Sequence, residues 1–326
     1  MEVHNSSPVL ILAYNRPELL KELLLSLPLD RKVYIHLDGA KDKNDYGAME
    51  TKRVAEVYSL SHQYQSIRLL FQERNIGNLG SFRAAMSWVF SFENRIILLE
   101  DDIRVSGTFF PYMDWALEKY MHSSHIFQIN GLSMLNSLPG RNRLFESYSC
   151  KPWGFGTWEN RWNLYLNTEP VYNENEIFSL PIFKSVNLTE TFKAKWLDRF
   201  VRLHQGTDTY DLGWNYAAWA HNARALAPRF SFVTNIGFDS RALHTRNRPY
   251  FLPLMSSLKN QSLNFSGGKP VPFPSYYDAF SDFLEWGTPG INKGSAFFFI
   301  RIYQFLQSLK HFSIRIFRVA SGLRFK

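Results

Sequence analysis

Arg95-Ile96-Ile97-Leu98-Leu99-Glu100-Asp101-Asp102 is an apolar run that ends in three consecutive carboxylates. A short unbroken stretch of Ile and Leu has the pattern of a strand buried on both faces, as in a largely parallel sheet. In open α/β sheets ligands bind beyond the carboxyl ends of the strands, and Glu100, Asp101 and Asp102 fall at that edge. Neighbouring like charges repel, so the triplet is costly without a cation. Carboxylate oxygens with no Cys or clustered His suit Mg²⁺ or Mn²⁺ better than Zn²⁺. Strand alternation puts Glu100 and Asp102 on one side and Asp101 on the other, which makes Asp102, the outermost, the candidate metal ligand. The alternative is an acidic turn that is solvated and binds nothing.

The residues around this run repeat a strand–helix rhythm. Strands are predicted at Val9 to Tyr14, Val33 to Leu37 and Ile67 to Phe71, and helices at Glu18 to Ser26, Tyr46 to Leu60 and Ser81 to Ser91. Asn15-Arg16-Pro17-Glu18 opens the first helix with a cap residue and a proline in the first turn. A helix at Phe109 to Tyr120 and a strand at Ile126 to Asn130 follow. The pattern then gives way to aromatic loops around Cys150 to Trp162, a polar stretch from Asn163 to Leu188, and helices at Glu190 to Gln205 and Trp214 to Ala223. The expected fold is α/β, Rossmann-like, with a mostly parallel sheet and flanking helices. Residues 1–130 form a nucleotide-binding half, 131–253 an acceptor-side half, and 254–326 a C-terminal extension.

Composition narrows the function. The 326 residues include 28 Phe, 16 Tyr and 9 Trp, of which a core takes most and a cleft that stacks sugars or bases would take part. The single cysteine, Cys150, excludes an internal disulfide framework and a Cys-based zinc site, and fits a reducing compartment. No export signal opens the chain and no stretch reaches the length of a membrane span. The net charge of +8 is uneven: from Lys293 onward there are Arg301, Lys310, Arg315, Arg318, Arg324 and Lys326, interleaved with Phe and Ile, and no acid. Such a basic amphipathic helix either lies on an anionic membrane surface or packs on the domain. With the charge confined to the tail, nucleic acid is not an expected partner. The expected location is cytoplasmic, peripheral on the inner face of the cell membrane.

Five further segments could carry chemistry. Asp38, at a predicted strand end before Gly39, can accept hydrogen bonds from a nucleobase or ribose, or serve as an ordinary Asp-Gly turn. Asn75 to Gly80, which includes Gly77, precedes a helix and would let backbone N–H groups approach phosphate, but has neither the Walker A nor the dinucleotide pattern, so a structural turn competes. Trp153-Gly154-Phe155-Gly156-Thr157-Trp158 combines indoles with glycines, as a sugar-contacting wall or as core. Asp211, in Tyr210-Asp211-Leu212-Gly213-Trp214, is a carboxylate among aromatics that could take a proton from a hydroxyl or cap a helix, with Asp208 as the competitor for either role. His244, near Arg246 and Arg248, could contact a metal or a diphosphate.

Taken in order, these segments resemble the GT-A glycosyltransferases, and more narrowly the N-acetylglucosaminyltransferase I family and related bacterial sugar transferases. Leu99-Glu100-Asp101-Asp102 with Phe109-Phe110-Pro111-Tyr112 is similar to that family's metal-binding segment and following helix. Trp153 to Trp158 resembles its acceptor-side segment, Tyr210 to Trp214 its catalytic segment, and Asn235-Ile236-Gly237-Phe238 through His244 its donor-closing loop. The resemblance implies a UDP-sugar donor, Asp102 on a Mn²⁺ that bridges the diphosphate, Asp38 on the uracil and Arg16 near the nucleotide. It also implies Asp211 as the base and donor contacts from Asn75, Gly77, Glu100, Asp101 and His244. Acceptor contacts would come from Trp153, Gly154, Phe155, Trp158 and Trp214. Leu212-Gly213 replaces the family's second Asp, and the membrane anchor of its eukaryotic members has no counterpart. The implied activity is inverting sugar transfer, of the hexosyltransferase type, from a nucleotide-diphosphate sugar to a glycan or lipid-linked acceptor, in bacterial surface polysaccharide synthesis. The competing readings are a non-catalytic carbohydrate-binding protein and a sugar-nucleotide nucleotidyltransferase.

Overall fold

The computed structural model describes residues 6–134, 144–171, 173–238, 269–286 and 290. The first half follows the predicted alternation: β1 (Val9–Ala13), α1 (Pro17–Leu25), β2 (Val33–Leu37), α2 (Tyr46–Ser61), β3 (Ile67–Phe71), α3 (Gly77–Phe90) and β4 (Arg95–Glu100). Then come β5 (Ile103–Val105), α4 (Phe109–Tyr120), β6 (Ile126–Asn130), β7 (Leu144–Ser147), β8 (Phe155–Trp158), α5 (Glu159–Leu166) and α6 (Glu174–Phe178). The remaining elements are α7 (Glu190–His204), α8 (Asp211–Ala220), β9 (Arg224–Pro228), β10 (Val233–Asn235) and α9 (Tyr276–Trp286).

Eight strands form one sheet in the order β3-β2-β1-β4-β8-β6-β9-β7, and β5 and β10 make a separate antiparallel pair. β1 pairs in parallel with both β2 and β4, and the order reverses there, because the chain runs outward from β1 to β3 and returns to β1's other side. β8 is antiparallel to both β4 and β6. The period of two along the strands sorts the core. Val9, Ile11, Ile97 and Leu99 pack on the face covered by α1 and α4, while Leu10, Leu12, Ile96 and Leu98 pack on the face covered by α3 and α8.

Helix amphipathicity completes the layers. In α1 the proline at the start and Leu20, Leu23 and Leu24 on one side fix where the helix begins and which face it buries. In α2 the Asp45 carboxylate caps the Ala48 N–H.

Predicted boundaries change at four elements. The stretch predicted as aromatic loops is strand β8 followed by α5, held inside the sheet by ladders to β4 and β6. Gly156 makes this possible, since a Cβ there would already touch the Leu117 side chain of α4 at 3.0 Å. Helices α3 and α8 begin at Gly77 and Asp211, earlier than Ser81 and Trp214. Strand β4 stops at Glu100 and residues 101–102 turn into β5, so strand alternation does not set the directions of Asp101 and Asp102.

His244 and the basic tail from Lys293 onward lie outside the described residues. Among the described residues no helix is long and apolar enough to cross a membrane.

Candidate functional site

A cleft opens at the carboxyl ends of β1, β2 and β4, where the strand order reverses. The ends of the three strands bring Arg16, Asp38 and the Glu100–Asp102 edge to one opening. Asn75, Gly77 and Asp208 form one wall, and Trp153, Asn235 and Phe238 form another.

Asp102 is the best connected of the acids. Arg16 Nη1 lies 2.8 Å from its Oδ2, and Asn235 Nδ2 donates to its Oδ1 at 3.1 Å. Arg16 Nη2 also donates to the Gly237 carbonyl at 3.0 Å, and the Asp102 carbonyl accepts from Ile236 N–H at 3.0 Å. These bonds tie the acidic turn to the strand β10 and the residues that follow it. A side chain at Gly237 would collide with this pair, since its Cβ would stand 2.0 Å from Asp102 Oδ2. Asp101 turns inward instead, its Oδ2 accepting from Tyr14 N–H at 3.4 Å. Glu100 accepts from the Tyr210 hydroxyl at 3.3 Å.

Burial is the first cause of the electrostatics here. It raises the Glu100 carboxyl far above the usual range, with the charges of Asp102 and Asp101 pushing the same way and the Tyr210 hydroxyl pulling back. Asp101 is pushed up to about 7 by burial and by Asp102, against the pull of Arg16. Asp102 is raised by burial and drawn back down by Arg16 and Asn235.

Among the described residues Arg16 is the guanidinium bonded to a carboxylate of this edge, and the cleft is lined by five carboxyl groups, Asp38, Glu100, Asp101, Asp102 and Asp208, and two cations, Arg16 and Lys41. The carboxylates of the Glu100–Asp102 edge fit a hard divalent cation. Among the described residues no three ligating side chains converge into a cage. One or two carboxylates completed by substrate phosphates is the common arrangement for Mg²⁺ and similar ions.

Asp38, expected either to read a base or to shape a turn, is bonded to the chain's own donors. Its Oδ1 accepts from the N–H groups of Gly39 and Ile76, both at 2.8 Å, and its Oδ2 from Asn75 Nδ2 at 2.9 Å and Gly77 N–H at 3.0 Å. A carboxylate offers about four acceptor positions, so the group expected to read a base is filled by the Asn75–Gly77 turn that it shapes. The turn's next two N–H groups, of Asn78 and Leu79, point to the Asp208 carboxylate. Four of the N–H groups expected to approach phosphate, those of Ile76 to Leu79, are thus held by carboxylates.

The expected acceptor wall is mostly core. Phe155, Trp158 and Trp214 are at most 3% exposed and Gly154 is buried, so these residues present no surface to a sugar. Trp214 packs edge-on against Phe82 and Phe127 and donates Nε1–H to Gln128 at 2.7 Å. Trp158 donates to the Leu117 carbonyl at 3.1 Å. Trp153 differs, being half-buried at the cleft with its edge toward Phe238.

Asp211 occupies the first turn of α8, half-buried, and accepts from the Thr209 hydroxyl. It is near enough to Glu100 for its charge to raise that carboxyl further. Lys41, over the Tyr14 ring at 5.5 Å, was not singled out by sequence reasoning. Its only signal was its place just after Asp38-Gly39. Asn235 stood in the quoted donor-closing segment without a role, and its contact with Asp102 comes from the pairing of β10 with β5.

No protein-family model and no curated protein matches the chain. Solved structures similar to it include a mannosyltransferase from Pyrobaculum calidifontis in complex with GDP-Man and Mn²⁺, at 9% identity and a TM-score of 0.40, covering 67% of this chain and 71% of that one. The glycosyltransferase GlyE of Streptococcus pneumoniae matches at 12% identity and a TM-score of 0.32, covering 68% of this chain and 45% of GlyE. A mannose-1-phosphate geranyltransferase from Thermus thermophilus matches at 13% identity and a TM-score of 0.31, covering 69% and 74%. These likenesses are remote, and the functional reading rests on the cleft itself.

Proposed function

We propose that the chain is a transferase that uses a nucleotide-diphosphate sugar, and specifically an inverting glycosyltransferase. The observation that carries this reading is the cleft at the sheet's switch point, where Arg16 and the Glu100–Asp102 edge meet a half-buried indole, Trp153. An acid-rich cleft would repel a diphosphate unless a cation entered with it. Asp102 would hold that cation, Mn²⁺ or Mg²⁺, which when bound neutralises charge on the departing diphosphate. Arg16 supplies a fixed positive charge beside it and can pair with phosphate oxygens.

In the reaction an acceptor hydroxyl oxygen attacks the anomeric carbon as the bond to the diphosphate oxygen breaks. The bonding pair leaves with the diphosphate, and the hydroxyl proton passes to a base, for which Asp211 is the candidate. Attack from the face opposite the leaving group inverts the anomeric configuration. Trp153 offers its ring to the sugar, and Phe238 closes the edge beside it.

A UDP-sugar donor, a glycan or lipid-linked acceptor, a place in bacterial surface polysaccharide synthesis and contact of the tail with an anionic membrane complete the proposal. They rest on the sequence resemblance and the tail's composition. The test is a panel of nucleotide sugars with Mn²⁺ or EDTA, for wild type, Asp102→Ala and Asp211→Asn, with the product's anomeric configuration determined by NMR. Metal-dependent release of one nucleoside diphosphate, lost in both variants, with inverted product, is expected. Retained configuration or an active Asp211→Asn protein contradicts the mechanism. Pyrophosphate release from a nucleoside triphosphate and a sugar phosphate would identify a nucleotidyltransferase instead.

A further inference from the structure

The connector between α7 and α8, residues 205–210, is fastened to the start of α3 at two points that the reaction above does not use. The Asp208 carboxylate lies across the first turn of α3, Oδ2 accepting from Asn78 N–H at 2.6 Å and Oδ1 from Leu79 N–H at 2.7 Å. Two residues on, the Tyr210 ring stacks on Phe82 of the same helix, with 4.1 Å between centroids and 6° between planes. The Tyr210 hydroxyl donates to Glu100, and the next residue is Asp211. Gly77 is shaped for this contact: its φ is +76°, and a Cβ there would stand 2.4 Å from Asp208 Oδ2. Upstream, Gly206 at φ +90° has nothing within 4 Å of where a side chain would sit. Between the end of α7 and Tyr210, Asp208 is thus the side chain that reaches across to another element of the cleft.

The first N–H groups of a helix lack partners within the helix, and a carboxylate bridging two of them sits at the favourable end of the helix dipole. Such a bond fixes two elements relative to each other. Here the two are the turn that Asp38 shapes and the helix that carries Asp211.

We propose that Asp208 is a positioning residue: by clamping the α7–α8 connector to the first turn of α3, it sets where α8 begins and hence where Asp211 and Tyr210 stand against Glu100. The consequence for turnover rests on the reading of Asp211 as the base; the clamp does not. Misplacing a reacting group by an ångström costs orders of magnitude in rate, so a loosened α8 should show in kcat before it shows in donor binding.

The experiment combines residue-resolved amide exchange with transfer kinetics on Asp208→Ala and Asp208→Asn in the full chain. In Asp208→Ala the Asn78 and Leu79 amides should exchange about tenfold faster, the loss expected of a helix cap, while Ile76 and Gly77, held by Asp38, keep their protection. The kcat should fall about tenfold with the donor KM unchanged, and Asp208→Asn, which keeps one acceptor oxygen, should recover part of both effects. Gly77→Ala should be less destabilising in the Asp208→Ala background than in wild type, because the collision with the Asp208 carboxylate is gone and the strain of the positive φ remains. Unchanged exchange at Asn78 and Leu79, or equal cost of Gly77→Ala in both backgrounds, overturns the clamp. Faster exchange with kcat unaltered overturns its positioning role. Failure of the wild-type protein to transfer sugar would sink the transferase reading, and the exchange and double-variant results would still decide the clamp.

Discussion

The donor-side edge of the sheet and the aromatic segment that follows it are equally dense in distinctive residues, yet they use them in opposite directions. At the ends of β1, β2 and β4 the side chains face the cleft and one another, as Arg16, Asp102 and Asn235 do. From Phe155 through Trp162 and along α8 the aromatics face inward, where Trp214 meets Phe82, Phe127, Trp162 and Tyr165. A carboxylate at a strand end must find water, a cation or a donor, so its position announces a site. An indole fills a core as well as it holds a sugar, so only a ring that keeps an open face, as Trp153 does, belongs to the cleft.

Substitutions on the two sides should break apart along that line. Trp214→Ala should have the largest effect, about 3–5 kcal/mol of stability in denaturant titration, because it empties a packed site and strands the Gln128 side-chain oxygen Oε1. Trp153→Ala should cost about 1 kcal/mol or less, since the ring is only half-buried, while raising the acceptor KM. Equal stability losses at the two tryptophans would erase the distinction. Asp38→Ala falls between them, at about 2–3 kcal/mol, because it leaves the Gly39, Ile76 and Gly77 N–H groups without their acceptor. A stable Asp38→Ala protein with weakened nucleotide binding alone would restore the base-reading role expected from sequence.

The smallest effect is one of pH and belongs to the inner side. Asp278 on α9 is buried, which pushes its carboxyl up to about 7 although the Ser147 hydroxyl and the Ser275 and Tyr148 N–H groups draw it down. Its neighbour Asp282 is raised as well, by burial first, and Lys151 is the cation beside both. Between the ordinary aspartate value of about 3.9 and about 7, the folded chain holds a proton that the unfolded chain has released. Stability is therefore complete below that window and declines as pH rises through it. Asp278→Asn should flatten the decline, melting a few degrees above wild type at about pH 8 and close to it at about pH 4. Thermal melts across that range check it, and parallel curves for the two proteins would contradict it.

The same contrast explains how far the sequence could be read. The first half was legible because its strands are short, mostly apolar runs and Pro17 marks the start of α1. The acidic edge was legible because three adjacent carboxylates after an apolar run are costly without a cation. β8 was not, since Phe155 to Trp158 is short and holds a glycine that reads as a loop until Leu117 is seen to need the space. The true partners of Asp38 and Asp208 were hidden as well, because a carboxylate that binds a ligand and one that binds the chain's own N–H groups look alike in sequence. Asp102 and Asn235 are 133 residues apart, and only strand pairing brings them together.

The most direct test of a diphosphate seated at Asp102 is calorimetric titration of nucleoside diphosphates into wild type and Asp102→Ala, each with Mn²⁺ and with EDTA. Binding that requires Mn²⁺ and disappears in Asp102→Ala is the expected result. Binding as tight in EDTA as in Mn²⁺, or undiminished in Asp102→Ala, would contradict it.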